Sequence, residues 1–168
     1  LNQFALAEKL VSALGLVVWP MVKFEADDAI ATAVTKFKKV KSVEQIIICS
    51  VDKDLTQMVE GDRVICWDRR REMVYDEDAV IEKYGVAPSS IPDWLALVGD
   101  SADGIPGIPA WGSKSAAAIL SEFGHIETIP DDSGQWGLSA ARARRLAEKA
   151  AIATVNREIA LLRRVVNF

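Results

Sequence analysis

The stretch Gly104-Ile105-Pro106-Gly107-Ile108-Pro109 can only be a turn. Each proline removes a backbone donor and each glycine gives up conformational entropy, so two of each within six residues break both helix and strand. The chain is different in character well before and after it. Short apolar runs alternate with helical patterns up to Tyr75, and no run with strand periodicity follows.

Residues 1–15 read as a helix with Leu6, Leu10, Ala13 and Leu14 on one face and Gly15 as its stop. Leu16 to Trp19 reads as a short buried strand ended by Pro20. Glu25-Ala26-Asp27-Asp28 opens a second helix, with Ile30, Val34 and Phe37 on one face, closed by Lys38 to Ser42. Ile46 to Cys49 is too apolar for a half-exposed strand and predicts a parallel sheet covered on both faces. A short helix follows through Val59, then strands at 64–67 and 73–75 around the charged turn Asp68 to Glu72. From about Pro88 the patterns are helical: Asp93 to Val98, an Ala-rich helix from Ser113 to Phe123, a polar loop at 130–137, and one or two helices over 139–166 with Val155, Ile159 and Leu162 on one face. This predicts an α/β part over 1–88 and an all-helical part over 89–168, with no internal repeat.

Charge and cysteine content narrow the function. The chain holds 20 Lys or Arg against 24 Asp or Glu, a net −4, which taken alone argues against a general polyanion binder. Half the residues are hydrophobic, which excludes a disordered chain. Cys49 and Cys66 are too few for a disulfide framework, and Cys49 reads as a small buried hydrophobe. No apolar stretch is long enough for a membrane span, and no leader pattern stands at the N-terminus, so a cytoplasmic protein without membrane contact is expected. The chain opens at Leu1 inside a helical pattern, as a piece of a longer protein does.

Three acidic clusters stand at junctions: Glu25/Asp27/Asp28, Asp52/Asp54 and Asp100/Asp103. Helix capping explains the first taken alone, and plain turns explain the other two. Yet Asp52 and Asp54 follow the most apolar strand directly, at the sheet edge where α/β proteins bind ligands. If the clusters converge, seven carboxylates share one pocket. Two like charges ~4 Å apart near a protein surface repel by ~4 kcal/mol, so such a pocket needs cations. Oxygen-only donors favour hard divalent ions, and two of them flanked by carboxylates can activate water and stabilise a leaving oxygen in phosphodiester cleavage. Beyond the turn, the first N–H groups of the next helix, at Gly112 to Ser115, with the Lys114 ammonium and the Ser115 hydroxyl, suit a phosphate group. A plain helix connector is the alternative reading.

These segments carry a resemblance. Glu25-Ala26-Asp27-Asp28, Ser50-Val51-Asp52-Lys53-Asp54-Leu55 and Gly99-Asp100-Ser101-Ala102-Asp103-Gly104-Ile105-Pro106-Gly107 resemble, in order and spacing, the 5′–3′ exonuclease/flap endonuclease family, which includes the 5′ nuclease domain of bacterial DNA polymerase I. Ala110-Trp111-Gly112-Ser113-Lys114-Ser115 looks closest to the stand-alone bacterial exonucleases. The resemblance implies a PIN-like α/β nuclease core followed by a helix-three-turn-helix DNA-binding region. It implies Glu25, Asp27, Asp28 and Asp52 around one Mg²⁺ or Mn²⁺ ion and Asp52, Asp54, Asp100 and Asp103 around a second. Gly104, Ile105, Gly107, Gly112, Lys114 and Ser115 would hold duplex DNA, with a K⁺ ion on the carbonyls of the turn. The substrate implied is DNA with a 5′ end or flap at a single-strand/double-strand junction, cut by a monomer in replication and repair.

Family members also carry a strand ending in a metal-ligand Asp, a second acidic position and a basic arch, none of which matches a segment of this chain. Gly104 stands where polymerase-type members usually have Asn. A PIN-type ribonuclease and a non-catalytic DNA-binding module are the rival readings. Of the remaining residues, His125 reads as a cap or surface group and Arg69-Arg70-Arg71 as a solvated turn with a DNA-backbone contact as its alternative. Arg142, Arg144 and Arg145 are further candidates for duplex contact, and Trp94, Trp111 and Trp136 read as packing residues. The charge itself is uneven: residues 1–110 hold 12 basic and 18 acidic groups, residues 111–168 hold 8 and 6, and all seven proposed ligands lie in the first part.

Overall fold

A computed structural model of the chain describes residues 3–130, 146, 152–154, 156, 157, 160 and 161. Its sheet has three strands in the order β1 (Ile46–Ile48), β2 (Val64–Asp68) and β3 (Met73–Tyr75). β1 and β2 are parallel, with Ile48 opposite Cys66. β2 and β3 are antiparallel, with Asp68 opposite Met73. Only four residues separate β2 from β3, enough for a hairpin and far too few for a parallel crossover, so the sheet is mixed. The parallel pair fixes the geometry of function. Both strands end at one edge, and the segments that begin at Cys49 and at Arg69 leave the sheet together there.

The described residues also form helix α1 (Phe4–Ala13), four further helices and a 3-10 turn that follows β1. The others are α2 (Ala26–Phe37), α3 (Glu77–Tyr84), α4 (Ile91–Val98) and α5 (Ser113–Phe123); the 3-10 turn spans Asp54–Met58. α4 is the hub. Every residue from Ile91 to Leu97 is buried, and its neighbours in the core include Leu55 and Val64 from the α/β part and Ile119 and Leu120 from α5. One core therefore serves both parts. Described residues from 146 to 160 are helical and pin back onto it: Asn156 Nδ2 donates to the Ala96 carbonyl at 3.1 Å, and Gln57 Nε2 to the Ala160 carbonyl at 3.0 Å. Val155, Ile159, Leu162, Trp136, the arginines at 142, 144 and 145, and the loop expected at 130–137 beyond Pro130 lie outside the described residues.

Several expectations are corrected. Leu16 to Trp19 is no strand: Leu16 and Val17 are 60% and 80% exposed, and among the described residues no ladder pairs with the segment. Apolar content alone does not make a strand without a neighbour to satisfy its backbone. α1 forms, but none of its residues is buried, so its apolar face meets no partner among the described residues. β1 is paired along one side only. Ile48 is buried while Ile47 is 49% exposed and Cys49 is exposed, the alternation of a half-covered strand rather than one shielded on both faces.

α3 is an element that the sequence reading passed over, although its signals are local. Asp76 Oδ1 accepts from the Ala79 N–H at 2.8 Å, Val80 and Tyr84 face the core four residues apart, and Gly85 ends the helix in a left-handed conformation.

The most constrained polar group in the core is Asp93 of α4, which is fully buried. Its Oδ1 accepts from the Ile126 N–H and lies 3.1 Å from Arg157 Nε; its Oδ2 lies 2.9 Å from His125 Nδ1. One carboxylate thus ties α4 to the turn after α5 and to the helical residues near 157. Trp94 packs edge-on against Tyr84 at 5.2 Å, and Trp111 is buried, so both are packing residues. Replacing Asp93 with Ala removes the acceptor of the buried Ile126 N–H and one of the carboxylates, beside Glu127, that face Arg157. We expect a loss of about 3–5 kcal/mol in chemical denaturation, with Asp93→Asn losing less. A loss below about 1 kcal/mol for the alanine variant would mean that the tie contributes little.

Candidate metal centre

The second and third acidic clusters meet through Asp54, Asp100 and Asp103, and the first lies within electrostatic reach of them through Asp27. Glu25 is the N-cap residue of α2, and Asp28 Oδ2 accepts from the Glu25 N–H at 3.3 Å, so Asp28 performs the capping role read from the sequence. Asp27, on the same first turn, faces elsewhere. Burial pushes its carboxyl above the ordinary range, and the charges of Asp52, Glu25, Asp103 and Asp28 push it the same way. The first cluster is therefore within electrostatic reach of the other two.

Asp52 and Asp54 leave the C-terminal end of β1. Ser50 Oγ accepts from the Asp52 N–H at 3.1 Å, and Asp52 Oδ1 accepts from the Asp54 N–H at 3.0 Å, a short ladder that starts the 3-10 turn. Asp54 is 8% exposed, and its Oδ1 is buried with no hydrogen-bond partner among the described residues. Carboxylate oxygens of Asp54, Asp100 and Asp103 all lie within 4.8 Å of one another. Desolvation, then the charges of Asp52, Asp103 and Asp100, raise the Asp54 carboxyl to about 7, against a smaller opposite pull from Lys53.

Asp100 and Asp103 are delivered by a loop closed on itself. Asp100 and Ile105 exchange two backbone hydrogen bonds of 2.8 Å each. At the loop's base the backbones of Gly99 and Gly107 touch: a Cβ on Gly107 would lie 2.6 Å from the Val98 carbonyl oxygen, and one on Gly99 would lie 3.0 Å from the Gly107 nitrogen. Both glycines also have positive φ. No other residue fits either position. The closure that the Gly-Pro pattern enforces is thus what turns Asp100 and Asp103 toward Asp54.

Asp100 and Asp103 are close enough to share a proton, a carboxylate oxygen of each lying within 4.8 Å of the other. That sharing, then burial and the charges of Asp100 and Asp52, raise Asp103. Burial also works to raise Asp100, but hydrogen bonds from Lys53, Asp103 and the Ala102 N–H hold it below the ordinary range. The Lys53 ammonium is ion-paired with Asp100 Oδ2. The sequence motif assigns Lys53 no role. A cation between two acidic positions is the signal that could have found it.

The turn after the loop is built as the sequence suggests, with one change. Gly104 and Ala110 have positive φ, and α5 starts at Ser113 from the Gly112 N-cap. Ile105 is buried and offers the turn its backbone only. Ser115 is 9% exposed and its N–H already donates to the Gly112 carbonyl at 2.9 Å, so it packs inward instead of facing a phosphate. Lys114 and the N–H groups of Ser113 and Lys114 are the exposed donors there. His125 is committed to Asp93.

The family described as "5'-3' exonuclease, N-terminal resolvase-like domain" matches residues 1–85, and "5'-3' exonuclease, C-terminal SAM fold" matches residues 86–168. The chain belongs to the 5′–3′ exonuclease family. It is 37% identical over 127 residues to the 5′-3′ exonuclease of Aquifex aeolicus, covering 76% of this chain and 43% of that protein. It is 35% identical over 134 residues to DNA polymerase I of Mycobacterium leprae, covering 78% of this chain and 14% of that protein. The chain thus spans less than half the length of these curated relatives. In fold it is similar to the 5′-exonuclease of bacteriophage T5 solved with zinc, at a TM-score of 0.81 and 21% identity over 95% of this chain and 57% of that one. The T5 flap endonuclease solved in a pseudo-enzyme-product complex with DNA and metal ions matches at a TM-score of 0.77 and 19% identity, over 90% of this chain and 55% of that one.

The fold carries a testable electrostatic cost at Asp54. A carboxyl whose folded-state pKa is raised binds its proton more tightly when folded. Its contribution to stability is full below the ordinary aspartate pKa and is lost as pH rises toward about 7. Without divalent ions, Asp54→Asn should therefore raise the melting temperature at pH 8 by about 3–6 °C, equivalent to about 1–2 kcal/mol for a domain of this size, with little gain at pH 4. Equal shifts at both pH values in a thermal scan would show that Asp54 carries no such strain.

Proposed function

We propose that this chain provides the metal centre and the duplex-holding turn of a structure-specific 5′–3′ exonuclease/flap endonuclease, hydrolysing DNA phosphodiester bonds at 5′ ends or flaps in replication and repair. The observation that supports the reading is the cluster of Asp54, Asp100 and Asp103, with one carboxylate oxygen of each within 4.8 Å of the others, together with an Asp54 Oδ1 that is buried without a hydrogen-bond partner among the described residues. An all-oxygen donor set of this charge fits hard divalent cations, Mg²⁺ or Mn²⁺. Glu25, Asp27, Asp28 and Asp52 would hold one ion; Asp52, Asp54, Asp100 and Asp103 would hold the other. Ions bound there supply Lewis-acid stabilisation of the phosphoryl oxygens and a nucleophilic water at neutral pH.

The chain's own groups do the rest. Asp52 and Asp54 stand fixed by their backbone ladder, and Asp100 and Asp103 by the glycine-locked loop, so the carboxylates are set before substrate arrives. Asp28 splits its capacity between the α2 cap and the site. Lys53 offsets part of the negative charge at Asp100. Directly after Asp103, the Gly104–Gly112 turn and the first turn of α5 offer Lys114 and free N–H groups to a duplex backbone, without reading bases. The carbonyls of Gly107, Pro109 and Ala110 accept no backbone hydrogen bond among the described residues, which suits a K⁺ ion there. No helix among the described residues is long and apolar enough to cross a membrane. A cytoplasmic monomer acting on DNA belongs to the same reading.

Release of a 5′-labelled fragment from a flap duplex should require Mg²⁺ or Mn²⁺ and fall by at least about 10³-fold in Asp52→Asn; undiminished cleavage would reject the metal site. Lys114→Ala should weaken binding alike on all sequences and lower the slope of log affinity against log salt by roughly 1. An unchanged slope would remove the phosphate contact from α5.

A further inference from the structure

A site that attracts a polyanion cannot be acidic on every side. Around the metal centre Lys53 is already engaged by Asp100, so the charge that meets an incoming strand must come from elsewhere. The other segment leaving the same sheet edge is the hairpin between β2 and β3, Asp68-Arg69-Arg70-Arg71-Glu72. Asp68 is 2% exposed, and its Oδ1 accepts from the N–H groups of Arg70 and Arg71 at 3.0 and 3.1 Å. Its carboxylate is thereby spent on holding the turn, apart from a 3.7 Å approach to the Arg71 guanidinium. Glu72 takes the left-handed conformation, φ 55°, that closes the hairpin. The three arginines are exposed, Arg71 at 72% of its side chain. Arg69 lies over the Trp67 ring at 5.6 Å, and the Arg70 side chain has no partner among the described residues.

The turn is also in the right place. Arg69 and Arg70 line a cleft of about 340 Å³ together with Trp67, Cys49, Ser50 and Val51. Ser50 and Val51 run straight into Asp52, so the cleft opens beside the metal-binding carboxylates. A guanidinium laid on an indole and a second one free of acidic partners present planar donors that fit phosphate oxygens in pairs.

We propose that the Arg69–Arg71 hairpin is a second phosphate-binding site, which grips the sugar-phosphate backbone of the DNA strand entering the metal centre. It rests on the nuclease reading above and adds a contact on the α/β side, separate from the α5 turn. It confers no base preference, since only phosphates are contacted.

The test measures binding of a labelled 5′-flap duplex by fluorescence anisotropy from 50 to 300 mM salt, in Mg²⁺, with Asp52→Asn present throughout to hold back cleavage. Adding Arg69→Gln and Arg70→Gln should lower the salt slope by about 1.4–1.8, two phosphate contacts at about 0.7–0.9 each, and weaken binding roughly 10–50-fold at 0.1 M salt. Arg69→Lys with Arg70→Lys should recover most of the slope, because charge alone releases counterions. Cys49 gives an independent readout from the same cleft. It is exposed, whereas Cys66 is buried and its thiol is pushed up to about 12, so alkylation at pH 8 selects Cys49. Saturating flap DNA should slow Cys49 alkylation, and the glutamine pair should abolish that protection. A slope unchanged by the glutamine pair, in a protein that cuts the flap with Asp52 intact, overturns this inference alone. If the unsubstituted protein neither binds nor cuts the flap, the nuclease reading falls first and this site with it.

Discussion

Mutual repulsion among carboxylates that the fold forces together is the constraint on which this structure turns. Three carboxylates within 4.8 Å of one another, two of them buried, cannot all remain charged in the absence of cations. The chain relieves the strain in the ways open to it. Asp54 and Asp103 hold protons more tightly, Asp100 shares a proton with Asp103, and Lys53 lends its ammonium. These are substitutes for a bound ion. A pocket selected only for stability would have replaced at least one carboxylate with an amide.

Everything that brings the carboxylates together is ordinary packing and backbone geometry. α4 is buried along its length, so the residue that follows it, Gly99, has no freedom to wander. The Gly99–Gly107 contact then folds the next eight residues back on themselves and aims Asp100 and Asp103 at the end of β1. The same contact fixes the start of the turn that leads into α5. The acidic cluster and the Gly-Pro turn are thus two sides of one loop, which gives a physical reason why the two motifs sit adjacent in the sequence.

Much of this was legible before any coordinates. The Gly-Pro turn, the α5 limits, strands at 64–67 and 73–75 and the acidic clusters follow from local rules, and the three motifs in order identified the family. The failures have a common cause in partners that local patterns do not contain. Leu16 to Trp19 is apolar enough for a strand but has no ladder beside it, and Ile47 and Cys49 lie on the uncovered side of β1. α3 carries local signals, its Asp76 cap and Gly85 stop, but is short and presents only Val80 and Tyr84 to the core, so its apolar periodicity is weak. Convergence of the clusters could only be assumed from spacing. Lys53 and the inward-packed Ser115 show that a motif names positions without saying which way each side chain faces.

The central claim is that the acidic cluster exists to bind a pair of divalent ions. It is tested most directly by titrating the protein with Mn²⁺ at pH 7.5 and following the electron paramagnetic resonance spectrum. The account predicts two ions bound per chain, close enough, about 3.5–4 Å, for their spectra to show exchange coupling. One isolated ion, or no binding at millimolar Mn²⁺, would contradict it.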